Sequence, residues 1–318
     1  QYQKIEGKQS NVFLIGKGEV MFNGHMDIIP IGDREKWDYD PYGEIKDGKL
    51  FGRGTCDTKG SIACFLSALA KNPTADISCA FTVEEENTFA GIKNLMKMRN
   101  NELKHIKYCV NLEPTELKIL TAHKGQMSII LKTTGVAVHS SVPEQGENAI
   151  TKMSGVITAV EKFRQELKEV HHPLMGSPSL NIGTIHGGTA MNVVPAETTI
   201  EIDIRTVPNQ DIDELIAKFT EIAKPAETTI LHSHNPVELN SDSEVIKTFQ
   251  KILEEKNLDS TPIEALYTTE FSELAEYDIE GLVFGAGSVD QAHNANEFVE
   301  IKQLELGHDI ISKFLSTI

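Results

Sequence analysis

Apolar positions divide the chain into stretches of different periodicity, and the first stretch ends near residue 124. It mixes short apolar runs with segments that have the 3.6-residue period of a helix. The predicted strands are VFLIG, EVMFNGH, ISCAFTV and IKYCVNL, and the predicted helices are GSIACFLSALA and AGIKNLMKMRNN. Strands that are apolar on both faces and alternate with helices indicate a mostly parallel sheet that is covered on both sides.

Between residues 125 and 235 the order of predicted elements becomes β-α-β-β-α-β. The strands are QMSIILKTT, SLNIGTI, TTIEIDIRT and TTILHSH, and the helices are NAITKMSGVITAVEKFRQELKEV and DIDELIAKFTEIAK. Ile200, Ile202 and Ile204 alternate strictly with polar residues, as in a strand with one buried face. This order is the ferredoxin-like arrangement of an α+β domain.

After residue 236 the α/β pattern returns. SEVIKTFQKILEEKN and LELGHDIISKFLSTI are predicted helices, and GLVFGAG is a predicted strand between them. The sequence therefore predicts an α/β protein with a mostly parallel sheet, formed by residues 1–124 and 236–318. Residues 125–235 are predicted to be an inserted ferredoxin-like α+β domain.

Composition narrows the class of protein and its partners. The net charge of −17 argues against nucleic acid and anionic membranes as partners. Residues are 40% hydrophobic and 24% charged, as in globular proteins, and no apolar run reaches the ~18 residues of a membrane span. The four cysteines form no CxxC pair, which favours a reduced, cytoplasmic compartment.

Ionisable residues follow the predicted strands of the α/β domain, where open sheets of this type place their sites. They are His25 and Asp27, Asp57, Glu84 to Glu86, Glu113 and His293. Each has an ordinary alternative: Asp57 alone suits a helix N-cap, and three consecutive glutamates suit a solvated loop. Together, two imidazoles and at least three carboxylates at one sheet edge require cations. Nitrogen and oxygen ligands without a thiolate suit zinc, cobalt or manganese, and two ions if all the ligands converge.

Eight stretches, in order along almost the whole chain, resemble the M20-type family of dinuclear metallopeptidases and deacylases. They are GHMDIIP, LFGRGTCDTKG, TVEEENTFAG, LEPT, VAVHSSVPEQGENAI, GTIHGGTAMNVVP, DIRTVP and GSVDQAHNANEFVE. The resemblance implies a catalytic α/β domain with an inserted ferredoxin-like lid that also mediates dimerisation. Members usually begin with a helix and a loop before the first strand, and this chain starts near that strand, so its N-terminal packing is expected to differ.

The resemblance also implies a ligand set for two divalent ions, zinc or cobalt. Asp57 would bridge both ions. His25 and Glu113 would complete one site, and Glu86 and His293 would complete the other.

Further roles carried over from the family concern catalysis and substrate binding. Asp27 would orient His25, and Glu85 would be the general base. In the lid, His139 would reach the active site of the other subunit in a homodimer and stabilise the oxyanion. Asn192 and Arg205 would bind polar groups and the carboxylate of the substrate.

Within the family, three stretches look most like acetylornithine deacetylases: GSVDQAHNANEFVE, TIHGGTAMNVVP and TTEFSEL. The expected reaction is the hydrolysis of N-acetylornithine, a step of arginine biosynthesis. Thr269 and Glu270 are predicted to lie in the substrate pocket, where a carboxylate would suit the ammonium group of ornithine or lysine. Succinyl-diaminopimelate, acetylcitrulline and acetyl-lysine remain alternative substrates, and a dipeptidase or carboxypeptidase remains an alternative activity. A non-catalytic binding protein would have a broken ligand or base position, and every such position is intact.

Overall fold

A computed structural model describes residues 1–5 and 9–318. It divides into two compact units. The first comprises residues 1–122, 238–264 and 269–318, and the second comprises residues 123–237 and 265–268. The hydrophobic pattern placed the divisions after residues 124 and 235, and it gave no sign that residues 265–268 belong with the second unit.

Strands and helices are numbered here in chain order. The strands are β1 (Tyr2–Lys4), β2 (Ser10–Leu14), β3 (Val20–His25), β4 (Glu44–Lys46), β5 (Lys49–Phe51), β6 (Ser78–Thr82), β7 (Tyr108–Asn111), β8 (Leu120–His123), β9 (Gly125–Thr134), β10 (Ser179–Gly187), β11 (Glu197–Thr206), β12 (Glu227–His234), β13 (Val237–Glu238), β14 (Ile263–Ala265), β15 (Glu280–Val283) and β16 (Phe298–Glu300). The helices are α1 (Gly60–Lys71), α2 (Ala90–Met96), α3 (Ala149–Leu167), α4 (Ile212–Ile222), α5 (Glu244–Glu255), α6 (Phe271–Ala275) and α7 (Ile301–Leu315).

The central sheet has the strand order β1-β2-β6-β3-β7-β15-β8-β13, with β14 beside β8. Its middle strands β6, β3, β7 and β15 are parallel, and the strands that flank them are antiparallel. The fold is therefore the predicted α/β class with a mostly parallel sheet. Because β3, β6 and β7 are parallel neighbours, their carboxyl ends lie at one edge of the sheet.

The two faces of the central sheet differ in chemistry. On one face, Phe22 of β3 stacks on Phe65 of α1 with ring centroids 4.4 Å apart, inside an apolar core that includes residues of α5 and α7. On the other face, Asn23 and Asn111 are register partners on β3 and β7, and both are fully buried. Burying a side-chain amide costs free energy unless it is hydrogen-bonded, so these two asparagines are not explained by core packing alone.

The second unit is a four-stranded antiparallel sheet in the order β10-β11-β9-β12. Its chain order, β9-α3-β10-β11-α4-β12, is the predicted ferredoxin-like order. Ile200, Ile202 and Ile204 are buried in a core with residues of α3 and α4, while Glu201 between them is exposed. The alternation in the sequence thus identifies the face that carries the helices.

Several local features of the structure differ from the predictions. Helix α2 ends at Met96, whereas the apolar pattern predicted a helix as far as Asn101; residues 97–101 instead form successive turns, and two asparagines are weak helix formers. The sheet β16-β5-β4 and the short helix α6 were not predicted, because elements of three to five residues carry too little periodicity.

None of the helices in the part of the chain that the structure describes combines the length and the apolar character needed to cross a bilayer.

Candidate metal centre

The candidate ligands of the first unit come from strand ends and from two loops. His25 is the last residue of β3, Glu113 lies two residues beyond β7, and Glu86 lies in the turn after β6. Asp57 lies in the π-helical turn Thr55–Lys59 that leads into α1, and His293 follows the short 3-10 helix Val289–Gln291. Strands therefore fix some of the ligands, and loops supply the rest.

The structure brings these five side chains into two groups that share Asp57. In one group, His25 Nε2 lies 2.9 Å from Asp57 Oδ1 and 3.9 Å from Glu113 Oε2. In the other, His293 Nε2 lies 2.9 Å from Glu86 Oε2 and 3.4 Å from Asp57 Oδ2. The two carboxylate oxygens of Asp57 thus face different histidines. Within each group the potential ligand atoms all lie within 4.8 Å of one another.

The electrostatics of the centre are those of an acidic cluster balanced by two imidazoles. Burial raises the pKa of Glu113 well above its ordinary value, and the nearby carboxylates Glu85 and Asp57 raise it further. Burial also acts to raise the pKa of Asp57, but its hydrogen bonds with His25 and His293 outweigh burial and lower that pKa. The negative charge is therefore stable only where a positive charge is adjacent.

In the metal-free protein, protons on the two histidines can supply that positive charge. Burial alone would lower the pKa of His25, but the carboxylates of Glu113 and Glu85 outweigh burial and raise it well above 6.5. Hydrogen bonds with Asp57 and Glu86 raise the pKa of His293 to about 10. A divalent ion bound by neutral imidazoles and carboxylates would supply the same balance, with release of these protons.

The donor set fits a divalent transition-metal ion in each group. Two imidazole nitrogens and three carboxylates, without a thiolate, suit zinc, cobalt or manganese. Glu113 Oε1 is buried and has no hydrogen-bond partner among the described residues, so it is available as a ligand atom. The neighbouring Cys56 is a neutral thiol, because burial and then the charge of Glu297 raise its pKa.

Asp27 connects His25 to the glutamates. The Nδ1 atom of His25 donates to the main-chain oxygen of Asp27 at 2.9 Å, which leaves Nε2 as the ligand atom. The carboxylate of Asp27 lies 3.6 Å from the same Nδ1 and accepts from the amides of Glu85 and Glu86 at 3.3 and 3.2 Å. One side chain thus orients an imidazole and fixes the turn that carries both glutamates.

Glu85 differs from Glu86 in its surroundings. The Glu86 carboxylate contacts His293, whereas no side-chain partner of Glu85 occurs among its described hydrogen bonds and ion pairs. Burial raises the pKa of Glu85 well above its ordinary value; His25 opposes this shift, and Glu270 adds to it. A carboxyl group with a raised pKa beside the ligands suits the acceptance and release of a proton.

Thr269 and Glu270 do not lie open to a substrate. They are 1% and 0% exposed, and Glu270 Oε2 accepts from Asn23 Nδ2 at 2.6 Å and from Thr82 Oγ1 at 2.7 Å. This burial does not support the predicted contact with a substrate ammonium group. Glu270 instead connects β3 and β6 through these two hydrogen bonds, close to His25 and to the turn that carries Glu85 and Glu86. For Asn23 and Thr82 the available sequence signal is a polar residue inside an apolar strand.

The predicted lid residues lie in the second unit. His139 is exposed, and its Nδ1 lies 2.8 Å from Ser141 Oγ and accepts from the Ser141 amide at 3.2 Å. Asn192 is its neighbour, because the Ser140 amide donates to the Asn192 carbonyl at 3.0 Å. Arg205 lies near the far end of β11 from these loops, with Nε 2.8 Å from Asp203 Oδ1. The structure therefore brings His139 and Asn192 together, but not Arg205 with them.

Comparison with known proteins gives a family model and close relatives. Residues 21–317 match the model described as peptidase family M20/M25/M40. Acetylornithine deacetylase of Vibrio campbellii is 32% identical over 327 residues, covering 96% of this chain and 84% of that protein. The enzyme of the same name from Proteus mirabilis is 31% identical over 323 residues, covering 94% and 79%.

Solved structures share the fold at lower identity. An M20 family metallo-carboxypeptidase from Sulfolobus solfataricus has a TM-score of 0.79 at 18% identity, covering 99% of this chain and 89% of that one. A tripeptidase from Staphylococcus aureus has a TM-score of 0.76 at 22% identity, covering 97% of this chain and 84% of that one. At these identities the likeness is one of fold.

The pKa of Glu270 leads to a testable pH dependence. Burial raises it to about 7 from an ordinary 4.5, so the folded metal-free protein holds this proton more tightly than the unfolded chain does. The stability that the folded protein gains from the proton on Glu270 is fully present below pH 4.5 and is lost as the pH rises through 7. Glu270→Gln, whose amide oxygen can still accept from Asn23 and Thr82, should lack this loss of about 3 kcal/mol. Urea unfolding of both proteins across this pH range measures it; parallel curves would show that Glu270 ionises normally.

Proposed function

The chain belongs to peptidase family M20/M25/M40, and on that premise we propose that it is a dinuclear metalloenzyme that hydrolyses N-acetylornithine to ornithine and acetate. Family membership makes it a metal-dependent hydrolase of amide bonds, with a deacylase or peptidase activity. The acetylornithine deacetylases that are about a third identical over nearly the whole chain support the narrower substrate. The observation that carries the dinuclear proposal is the position of Asp57 in both ligand groups.

In this proposal each ion has its own histidine and glutamate. His25 and Glu113 would hold one ion, Glu86 and His293 would hold the other, and Asp57 would be a ligand of both. Zinc or cobalt suits these donors. When bound, such ions polarise the acyl oxygen of the substrate and lower the pKa of water.

Glu85 carries the proton through the reaction. It takes a proton from the water molecule whose oxygen attacks the acyl carbon, and it returns a proton to the amine nitrogen as the carbon–nitrogen bond breaks. The products are acetate and the free amine. The raised pKa of Glu85 supports this role, because it makes the carboxylate a stronger base toward the water proton.

The second unit is proposed to supply substrate contacts and an oxyanion donor. Because His139 Nδ1 accepts from the Ser141 amide, the proton of a neutral ring is on Nε2, which can then donate to a developing oxyanion. We assign this role to His139 in the active site of the partner in a homodimer formed through the second unit. Asn192 and Arg205 are proposed to bind the polar groups and the carboxylate of the substrate.

Metal dependence and substrate choice are tested together. After exhaustive chelation the protein should lose hydrolysis of N-acetyl-L-ornithine, and zinc or cobalt should restore it, because the ions supply the Lewis acid. The same assay with N-succinyl-diaminopimelate, N-acetylcitrulline, N-acetyl-lysine and dipeptides measures selectivity. Turnover of dipeptides without turnover of acetylornithine would assign a peptidase, and full activity of verified metal-free protein would contradict the mechanism.

Adjacent glutamates provide a matched pair of variants. Glu85→Gln should keep both ions and lose ~10²–10⁴-fold in kcat, as expected when a general base is removed. Glu86→Gln should instead bind one ion more weakly, since it removes a ligand. Metal content by plasma emission, alongside kcat, separates the two effects. A loss of metal from Glu85→Gln but not from Glu86→Gln would reverse the two assignments.

The shared active site is tested by complementation. Glu85→Gln and His139→Ala homodimers should each be nearly inactive, because removing one oxyanion donor costs ~10²–10³-fold. After subunit exchange, some heterodimers would have one active site with both residues intact, so activity should reappear. Native mass spectrometry verifies the exchange. Verified exchange without recovery would mean that His139 does not act in the partner's site.

A further inference from the structure

Glu297 is a buried carboxylate on which four donors converge. Its side chain is 0% exposed. Oε1 accepts from the amides of Cys56 and Asp57 at 2.9 and 3.1 Å. Oε2 accepts from the Gly54 amide at 3.0 Å and from Arg53 Nη1 at 2.6 Å. A carboxylate has about four lone-pair positions, so its accepting capacity is fully used.

All four donors belong to one short loop, residues 53–57, which ends at the proposed bridging ligand. The main chain of Glu297 contacts the residue that precedes this loop, since the Gly52 amide donates to the Glu297 carbonyl at 2.9 Å. One of the four donors is the amide of Asp57 itself. Glu297 therefore fixes the main chain at the residue whose two oxygens must face two different histidines.

Glu297 also belongs to the segment that carries the other loop ligand. His293 lies four residues earlier and is the most exposed ligand, with 57% of its side chain accessible. Asn296, in the same segment, makes two hydrogen bonds to Asp38: its Oδ1 accepts from the Asp38 amide at 2.7 Å, and its Nδ2 donates to Asp38 Oδ2 at 3.0 Å. The loops that carry Asp57 and His293 thus meet at a single carboxylate.

The ion pair with Arg53 is a separate component of this contact. Arg53 is 7% exposed, and its guanidinium carbon lies 5.3 Å from the centre of the Trp37 ring. A buried ion pair contributes little net stability, although the loss of one partner is costly. Stability alone therefore does not account for a carboxylate that accepts from three amides of one short loop.

We infer that Glu297 is a positioning residue that sets the relative placement of Asp57 and His293 before any ion binds. This inference rests on the proposed function for what the two ligands hold. A glutamine cannot replace the carboxylate, because its NH₂ group would face two N–H donors in either orientation. Arg53→Met, in contrast, removes only the ion pair and leaves the three backbone amides bonded to Glu297.

The test compares Glu297→Gln with two controls. One is Arg53→Met, which also destabilises the fold. The other is Glu300→Gln, which changes an exposed glutamate three residues later, at the end of β16. Zinc affinity and stoichiometry are measured by competition with a chelating dye, and stability by urea unfolding of the metal-free proteins.

Glu297→Gln should weaken zinc binding ~10–100-fold, the usual effect of removing a residue that orients a ligand. Arg53→Met should lose stability with zinc affinity near that of the parent protein, and Glu300→Gln should change neither.

Equal loss of zinc affinity in Glu297→Gln and Arg53→Met would overturn the inference, because affinity would then follow stability. Unchanged affinity in Glu297→Gln would also overturn it while leaving the dinuclear function intact. A parent protein that binds no zinc would instead contradict the proposed function.

Hydrogen exchange of the metal-free parent protein provides a measurement that depends neither on zinc nor on the folding of a variant. The amides of Gly54, Cys56 and Asp57 should exchange much more slowly than amides of exposed turns, since they are bonded to Glu297. Exchange as fast as in exposed turns would mean that the loop is not fixed in advance, and would overturn the inference.

Discussion

The balance of charge around Asp57 is the constraint on which the rest of the centre depends. Each of its oxygens faces a different imidazole, and three glutamates lie close by. Burial of ionised carboxylates at this density is unfavourable unless cations are adjacent. The two histidines meet this requirement when protonated, and divalent ions would meet it more strongly. A sheet edge built in this way is suited to cations.

The fold positions the candidate ligands in two ways, on strand ends and on loops. The parallel strands β3 and β7 deliver His25 and Glu113, and a ladder of main-chain hydrogen bonds fixes those strand ends. Asp57 and His293 lie on loops, which have no such ladder. Side-chain carboxylates perform that task instead: Asp27 holds the turn of the glutamates, and Glu297 holds the loop of Asp57. These two carboxylates therefore support the placement of ligands.

The sequence predicted the features that depend on local pattern. Alternating and continuous apolar runs predicted the parallel sheet, and the strict alternation of Ile200, Ile202 and Ile204 predicted the ferredoxin-like unit. The candidate ligands could be found because open sheets concentrate function at strand ends. Features that depend on contacts distant in sequence could not be found this way. Asp57 and Glu297 are 240 positions apart, and Asn23 and Glu270 are 247 apart. Glu270 was predicted to contact substrate because its neighbours in sequence resemble a substrate loop, and only the fold shows that its side chain is buried.

The central claim is that Asp57 joins two metal sites, and anomalous X-ray diffraction from crystals of the zinc-loaded protein tests it most directly. The account predicts two anomalous peaks per chain, with one oxygen of Asp57 on each. The first peak should have His25 and Glu113 as its other ligands, and the second should have Glu86 and His293. A single peak, or two peaks of which one lies away from Asp57, would contradict it.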